Sequence, residues 1–315
     1  MMSTYSIVVF SQQDVQYSQY MFVNSYINPA ACGINNTTDA ALLYRNQWTG
    51  NIPTDGGISG TQQSQLLTAS TKIQQINSGV GIFILNDELG PIRNFNANLA
   101  YSYHIDLGQD TKLSLGLRSG IYNQSINTNN WIPPTNIADN TLEGIRANPS
   151  RYVFDIGAGV WLNNPKYFVG ISLAHINKPS LFSAAFGNSY IYRHGYITGG
   201  YNFRLNENWL ITPSAIVKSD FNKFEHTQID FSALAHFSND RFWGGLSYRS
   251  GEAMIALIGI GLLADHSLKI GYAFDLVITG STAKSGTSHE IMITYSKPVA
   301  DIIPRPIIRT PRFRY

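Results

Sequence analysis

Alternation of apolar and polar residues with a period of two recurs along almost the whole chain and constrains its fold more than any other feature. In the stretch NFNANLAYSYHIDLG (residues 94–108), apolar or aromatic side chains occupy every second position, and polar ones fill most of the positions between. The stretches SLKIGYAFDLV (267–277) and HEIMITYSK (289–297) repeat the pattern. Successive side chains of a strand point to opposite faces of its sheet, so each stretch predicts a strand with one apolar and one polar face.

The same pattern predicts about fourteen strands in all. We place them near residues 40–48, 63–74, 78–86, 92–107, 111–127, 150–163, 166–177, 190–205, 208–219, 227–238, 241–250, 253–264, 266–279 and 287–297. Tight turns such as residues 108–111 and 239–240 alternate with mostly longer connections such as 49–62, 124–150 and 177–189. Short turns at one end and long loops at the other are typical of outer-membrane barrels, which have an even number of antiparallel strands.

Composition separates a membrane barrel from a soluble β-sandwich, which is the alternative fold with the same alternation. Charged residues make up 13% of the chain, against about 25% in a typical soluble domain, whereas Tyr and Phe number 18 and 16. A sandwich needs neither so many aromatic residues nor strands of the ~9–11 residues that cross a bilayer. We therefore predict an all-β fold, a transmembrane antiparallel β-barrel over residues 39–297. Its last strand must pair with its first, because each unpaired backbone group in lipid costs several kcal/mol.

Residues 13–38 precede the first strand. Their central run, residues 18–33, is too apolar for an unattached tail and too short to span a bilayer. A barrel of about fourteen strands has a lumen wider than its own side chains can fill. We expect this segment to enter from the periplasmic side as a short helix or hooked loop and to plug the lumen. Proline disfavours helical geometry in the residue before it, so the helix would end at Asn28-Pro29. The predicted plug residues are Tyr20, Met21, Phe22, Tyr26, Asn28 and Pro29. The alternative is a disordered or surface-lying leader.

The two chain ends are expected on the side of the short turns, which is the periplasm. Residues 1–12 contain an apolar stub without a basic start, which we interpret as the remnant of a signal peptide or leader. Residues 298–315 form a tail whose prolines block regular structure. We expect this tail to bind a periplasmic partner in an extended form. The alternative is a loosely ordered chain end, which is common at termini. Its basic residues are Arg305, Arg309, Arg312 and Arg314.

No group of residues in the sequence points to an enzyme, a cofactor or a metal. Ser102, His104 and Asp106 share one face of a predicted strand, but parallel side chains do not form a relay, and no G-x-S-x-G motif is present. The histidines lack metal-ligand spacing. With a net charge of +2 and scattered basic residues, nucleic-acid binding is not indicated. The inward charges, among them Asp230 and Glu290, mix both signs, which favours a lumen filled by ion pairs over a charge-selective pore.

A series of motifs resembles the PorP/SprF family of outer-membrane proteins of Bacteroidetes, which is tied to the type IX secretion system and gliding motility. The resemblance covers nearly the whole chain. Its motifs are QDVQYSQYMFVNSYINPAACG (13–33), YRNQWTG (44–50), NDELGPI (86–92), DIGAGVWL (155–162), FVGISLAHINKPS (168–180), PSAIVK (213–218), WGGLSYR (243–249), KIGYAFD (269–275) and SHEIMITY (288–295).

The resemblance implies a non-enzymatic partner of type IX secretion in the outer membrane, surrounded by lipid and lipopolysaccharide. Such proteins aid the secretion or surface anchoring of one adhesin-like cargo, which carries a type B C-terminal signal domain. Periplasmic components of the secretion system are further expected partners. A channel for small or hydrophobic solutes is the alternative function.

Two long loops are the expected contacts for the cargo. Loop 124–150 contains Trp131, and aromatic residues at loop tips can anchor a protein partner. Loop 177–189 is apolar where it should face water, and exposed apolar patches often mark interfaces. Its candidate contact residues are Leu181, Phe182 and Phe186. The alternative is that this loop folds over the barrel mouth.

Overall fold

One antiparallel sheet contains most of the residues that the computed structural model describes, which are 14–49, 61–127, 150–181, 190–220, 227–238, 240–278 and 286–300. Within these residues the sheet has fifteen strands. They are β1 (Thr37–Thr49), β2 (Gln62–Ile73), β3 (Ser78–Leu89), β4 (Ile92–Gly108), β5 (Thr111–Ile126), β6 (Ser150–Asn163), β7 (Tyr167–Ala174), β8 (His194–Tyr201), β9 (Phe203–Arg204), β10 (Trp209–Asp220), β11 (Gln228–Phe237), β12 (Phe242–Arg249), β13 (Ala253–Leu262), β14 (Leu268–Val277) and β15 (Thr287–Pro298).

The sheet closes into a barrel because its first and last strands pair. β1 and β15 run antiparallel, with Leu42 opposite Ile293 and Arg45 opposite Glu290. Consecutive strands pair around the rest of the wall, except that β8 pairs directly with β10, which also pairs with β9 and β11. The predicted pairing of AALLYRNQW (40–48) with HEIMITYSK is confirmed. Closure leaves no open edge, which is the condition for a sheet to lie in lipid.

The two faces of the barrel differ as the alternation predicts. On β4, Leu99 is 66% exposed on the outer surface, and Tyr101 and Tyr103 are also exposed. Their neighbours Ser102 and His104 are buried inside. An apolar outer surface and a polar interior are the arrangement of outer-membrane barrels. No helix within the described residues has the length and hydropathy needed to cross a membrane.

The two ends of the barrel carry connections of different length. β4 and β5 are joined through Gln109 and Asp110, whose φ angles of +51° and +57° match the type I′ hairpin turn. We call this end the short-turn end. β7 and β8, in contrast, are separated by residues 175–193 at the opposite end. We call that end the long-connection end.

The predicted strand 190–205 is interrupted. β8 begins only at His194, and Asn202 separates it from the two-residue β9, which pairs with β10. The side chain of Asn202 donates to the Pro165 carbonyl (3.0 Å) and accepts from the Thr212 hydroxyl (2.9 Å). At the short-turn end, these side-chain contacts of Asn202 stand where a continuous strand would have backbone hydrogen bonds to its neighbours. The wall therefore has fourteen strands and one short extra strand, in agreement with the predicted number.

Candidate functional site

Residues 14–36, here called the N-terminal segment, form short helical turns separated by extended residues. Tyr20–Phe22 and Pro29–Ala31 are 3-10 turns, and α1 (Asn24–Ile27) is a single α-helical turn. Asn28 is extended, with φ −134° and ψ 112°. The residue before a proline is disfavoured in helical geometry, so α1 ends at the predicted place.

The N-terminal segment runs along the barrel interior from one end to the other. At the short-turn end, the Asn36 carbonyl accepts from the Val299 amide (2.9 Å). At the long-connection end, Asp14 contacts His175, which follows β7, and Tyr196 of β8. The segment thus reaches further than a loop hooked in from the short-turn end. Residues 1–13 lie outside the described residues, so the expected position of the N-terminus remains a prediction.

Acidic side chains of the inner wall accept hydrogen bonds from backbone amides of the segment. Glu290 accepts from the amides of Ser18 (2.8 Å) and Gln19 (2.9 Å). The Ser18 hydroxyl donates to Asp275, and Arg45 donates to that same hydroxyl (2.6 Å). All five residues are buried. Because these turns leave backbone amides without helical partners, the carboxylates supply acceptors that water would otherwise provide.

Two arginines hold these carboxylates together. Arg45 bridges Asp275 (2.6 Å) and Glu290 (3.0 Å) and is 0% exposed. Arg249 bridges Asp230 (3.0 Å) and Asp275 (3.4 Å). This buried ion network agrees with the predicted lumen of mixed charges. The sequence analysis named Asp230 and Glu290 but missed both arginines, although each arginine lies at an inward position of the alternation.

The predicted plug residues all lie inside the barrel, but to different depths. Tyr20 and Asn28 are buried, as is Pro29, whereas Met21 and Phe22 are partly exposed. Met21 and Phe22 border a cavity of about 360 Å³ between the segment and the wall. That the segment blocks passage through the lumen remains a prediction.

The partly exposed plug residues have partners on the wall. The Phe22 ring lies 4.6 Å from the Trp243 ring, measured between centroids. The Tyr26 carbonyl accepts from Arg118 (3.0 Å). These contacts fix both the apolar face and the backbone of the helical turns.

Asn28 is joined to the backbone of two neighbouring strands. Its side-chain nitrogen donates to the carbonyls of Val160 (2.9 Å) and Ile171 (3.1 Å), while its oxygen accepts from the Ala30 amide (3.0 Å). All three bonds are buried or partly buried, so the asparagine satisfies polar groups on both the segment and the wall.

Glycines of the inner wall let the segment approach closely. A Cβ at Gly116 would lie 2.1 Å from the Ala30 nitrogen, and one at Gly79 would lie 2.0 Å from the Cys32 carbonyl oxygen. Neither position can hold a side chain while the segment stays in place. Cys32 is fully buried, and burial raises the pKa of its thiol to about 12.

A charged cluster surrounds Asp14. His175 donates from both ring nitrogens, to Asp14 (3.0 Å) and to Asp155 (2.8 Å). Burial alone would raise the pKa of Asp14, but His175, His194 and then Lys218 hold it well below its usual range. Burial alone would lower the pKa of His175, but Asp14 and then Asp155 raise it to about 9. The sequence analysis missed this cluster, because spacing along the chain does not show that the strands bring His175 and His194 together.

The candidate cargo contacts are only partly described. Leu181 is 3% exposed and packs with Tyr122 and Ile191, so its expected exposure to water is wrong. An apolar side chain at the barrel rim is more stable against inward-facing neighbours than in water. The remaining candidates lie outside the described residues: Trp131, Phe182, Phe186, Arg305, Arg309, Arg312 and Arg314.

Comparisons with solved structures find chains that align with most of this one at low sequence identity. The toluene transporter TbuX of Ralstonia pickettii has a TM-score of 0.49 and 10% identity, covering 87% of this chain and 92% of that chain. The toluene transporter TodX of Pseudomonas putida has a TM-score of 0.49 and 10% identity, covering 91% and 95%. The outer membrane protein Omp33 of Acinetobacter baumannii has a TM-score of 0.43 and 8% identity, covering 82% and 96%.

The family assignment comes from the sequence. No curated protein matches this chain. A family model described as "Type IX secretion system membrane protein PorP/SprF" matches residues 9–295, which include the barrel and the N-terminal segment. The chain therefore belongs to the PorP/SprF family of type IX secretion system membrane proteins.

Proposed function

We propose that this barrel is a non-enzymatic outer-membrane partner of the type IX secretion system. In this proposal it aids the secretion or surface anchoring of one adhesin-like cargo, which it recognises through the cargo's type B C-terminal signal domain. Membership of the PorP/SprF family is the observation that carries the proposal. Contact with the cargo is assigned to the long-connection end, through Trp131, Phe182 and Phe186, and contact with periplasmic components to the arginine tail.

The occupied interior supports a scaffold rather than a solute channel. A channel would need a continuous path past the N-terminal segment, but Ser18, Gln19 and Asn28 are buried against the wall. Displacing them would remove the Ser18 and Gln19 amides from Glu290 and the Ser18 hydroxyl from Asp275 and Arg45. A buried polar group that loses its hydrogen-bond partner costs about 1–3 kcal/mol, so the segment is expected to stay in place while the barrel works.

Affinity purification from the native cells tests the proposal. The tagged protein is solubilised in mild detergent, and co-purifying proteins are identified by mass spectrometry. The expected result is a large secreted protein that is retained through its C-terminal domain and is lost when that domain is deleted. An unrelated outer-membrane barrel with the same tag is the control. Recovery of the barrel alone would contradict the cargo function.

Conductance in planar bilayers separates the scaffold from the channel. The scaffold proposal expects negligible conductance from the intact protein and a rise when residues 14–36 are deleted. Because that deletion can prevent folding, Gly116→Phe is a second way to displace the segment, since a side chain there meets Ala30. Steady solute-dependent conductance by the intact protein would favour the channel.

A further inference from the structure

Three potential metal ligands meet at the long-connection end of the barrel interior. Asp14 comes from the N-terminal segment, His175 follows β7, and His194 is the first residue of β8. One ligand-type atom of each residue lies within 4.8 Å of the other two. Two imidazoles and a carboxylate suit Zn²⁺ and other divalent ions of the first transition row.

Each histidine has a ring nitrogen close to one carboxylate oxygen of Asp14. The Nε2 atom of His175 lies 3.0 Å from Oδ1 of Asp14, and Nδ1 of His194 lies 3.6 Å from Oδ2 of Asp14. Tetrahedral zinc, with bonds of about 2.0–2.2 Å, separates its ligand atoms by about 3.4 Å. The present spacings lie on either side of that value. Rotation of the His194 ring is the adjustment required, because its Nδ1 also lies 3.1 Å from the Tyr192 carbonyl oxygen.

The groups behind the ligands are those found behind metal-bound residues. Asp155 Oδ1 lies 2.8 Å from Nδ1 of His175 and so directs Nε2 toward Asp14. Metal-ligating histidines commonly donate their second ring N–H to a carboxylate in this way. The Tyr196 hydroxyl donates to Oδ2 of Asp14 (2.6 Å), which orients that carboxylate.

The local charge permits a cation. The Lys218 ammonium donates to the main-chain carbonyl of Asp14 (2.6 Å) rather than to its carboxylate. Asp155 is fully buried, and among the described residues its Oδ2 has no hydrogen-bond partner. A divalent ion bound at Nε2 of His175 would add positive charge on the far side of the imidazole ring from Asp155. A cavity of about 30 Å³ lined in part by Asp14 and Tyr196 has room for a water molecule.

We propose that Asp14, His175 and His194 bind one divalent first-row transition-metal ion, of which zinc fits best, and that this ion fastens the N-terminal segment to the barrel wall. Asp155 acts as a positioning residue through His175. The site joins residue 14 to two strands that are far away in sequence, so ion binding stabilises the threaded state of the segment. The inference is independent of the cargo that the protein serves.

Zinc binding to the intact, detergent-solubilised protein tests the proposal. The protein is stripped with EDTA, dialysed against Zn²⁺ and analysed by inductively coupled plasma mass spectrometry. We expect one tightly held zinc ion per chain, and none in His175→Gln or His194→Gln. Asp155→Asn should weaken binding by about 10–100-fold without removing a ligand. The control is His236→Gln, since His236 pairs with Asp240 on another part of the wall and should not alter the stoichiometry.

Two results would overturn the proposal: no stoichiometric zinc in the wild type, or unchanged binding in His175→Gln. Far-UV circular dichroism checks that each variant is folded. If a variant does not fold, Cu²⁺ added to the wild type answers the question by electron paramagnetic resonance. Coupling to two imidazole nitrogens supports the site, and coupling to one or none overturns it.

Discussion

Arg45 of β1 and Glu290 of β15 are direct register partners across the seam that closes the barrel, and their side chains form an ion pair of 3.0 Å inside it. The same glutamate accepts the amides of Ser18 and Gln19. One buried pair thus connects barrel closure to the position of the N-terminal segment. Loss of either partner is expected to affect both.

Arg45→Met should destabilise the protein by about 3–5 kcal/mol, because it leaves Glu290 and Asp275 buried without their shared cation. Unfolding in guanidinium followed by circular dichroism measures the change. Arg93→Met is the matched control, since Arg93 pairs with Glu88 at the surface (3.2 Å) and should change stability by less than about 1 kcal/mol. Equal effects of the two substitutions would show that the buried ion network contributes no more to stability than an exposed ion pair.

Cys32 should resist alkylation while the segment is in place. The thiol is fully buried and, with a pKa of about 12, is almost entirely protonated at pH 8, so the reactive thiolate is scarce. Maleimide labelling followed by mass spectrometry should be negligible in the folded protein and complete after unfolding. Gly116→Ala should speed labelling at least tenfold by displacing Ala30. Gly199→Ala is the control, because a Cβ there has ordinary contacts of 3.6 Å or more. Rapid labelling of the wild type would refute the buried position.

Asn28→Asp should loosen the segment by about 1–3 kcal/mol, because the carboxylate can no longer donate to the carbonyls of Val160 and Ile171. The rate of Cys32 labelling reports the change. Asn24→Asp is the control, since Asn24 donates only to the nearby Met21 carbonyl. No difference between the two variants would argue against Asn28 as an anchor.

Attachment of residue 14 in EDTA-treated protein should depend on pH. The pKa of His175 is raised from its usual value near 6.5 to about 9. The stabilisation that protonated His175 gives to the attachment is therefore complete below pH 6.5 and is lost as pH rises through 9. Because the pKa of Asp14 is lowered, the stabilisation that its ionised carboxylate gives to the attachment is lost only in strong acid. The charged or titratable groups around the pair are Tyr122, Asp155, His194, Tyr196 and Lys218.

Hydrogen exchange of residues 14–18, expressed as protection factors, measures this dependence. Protection should be greatest below about pH 6.5, outside strong acid, and should be lost as pH rises through about 9. His175→Gln should flatten the alkaline limb of the profile. A wild-type profile without that limb would mean that His175 does not hold Asp14 through its charge.

Phe182→Asp and Phe186→Asp should release cargo into the medium, if these residues contact the signal domain as proposed. Immunoblots of cells and medium measure the distribution. Leu181→Asp serves as the comparison, because Leu181 is buried and its substitution should reduce the amount of folded barrel instead. Unchanged retention in both phenylalanine variants would remove this loop from the proposal.

Strand positions and barrel closure follow from local sequence. A period-two pattern tells which side chains face lipid, and backbone hydrogen bonding in lipid then requires a closed wall. The predicted and observed strands agree except where Asn202 interrupts β8 and β9. That interruption depends on contacts with Pro165 and Thr212, which the alternation does not register.

The sequence by itself determined the barrel, its polar interior and an apolar N-terminal segment in need of burial. Only the tertiary structure decided that Arg45 meets Glu290, that Asn28 meets two strand carbonyls, and that Asp14 meets His175 and His194. Alternation fixes a side chain's face but not its neighbours across the lumen. Those neighbours depend on strand register and on the path of the segment, which join residues distant along the chain.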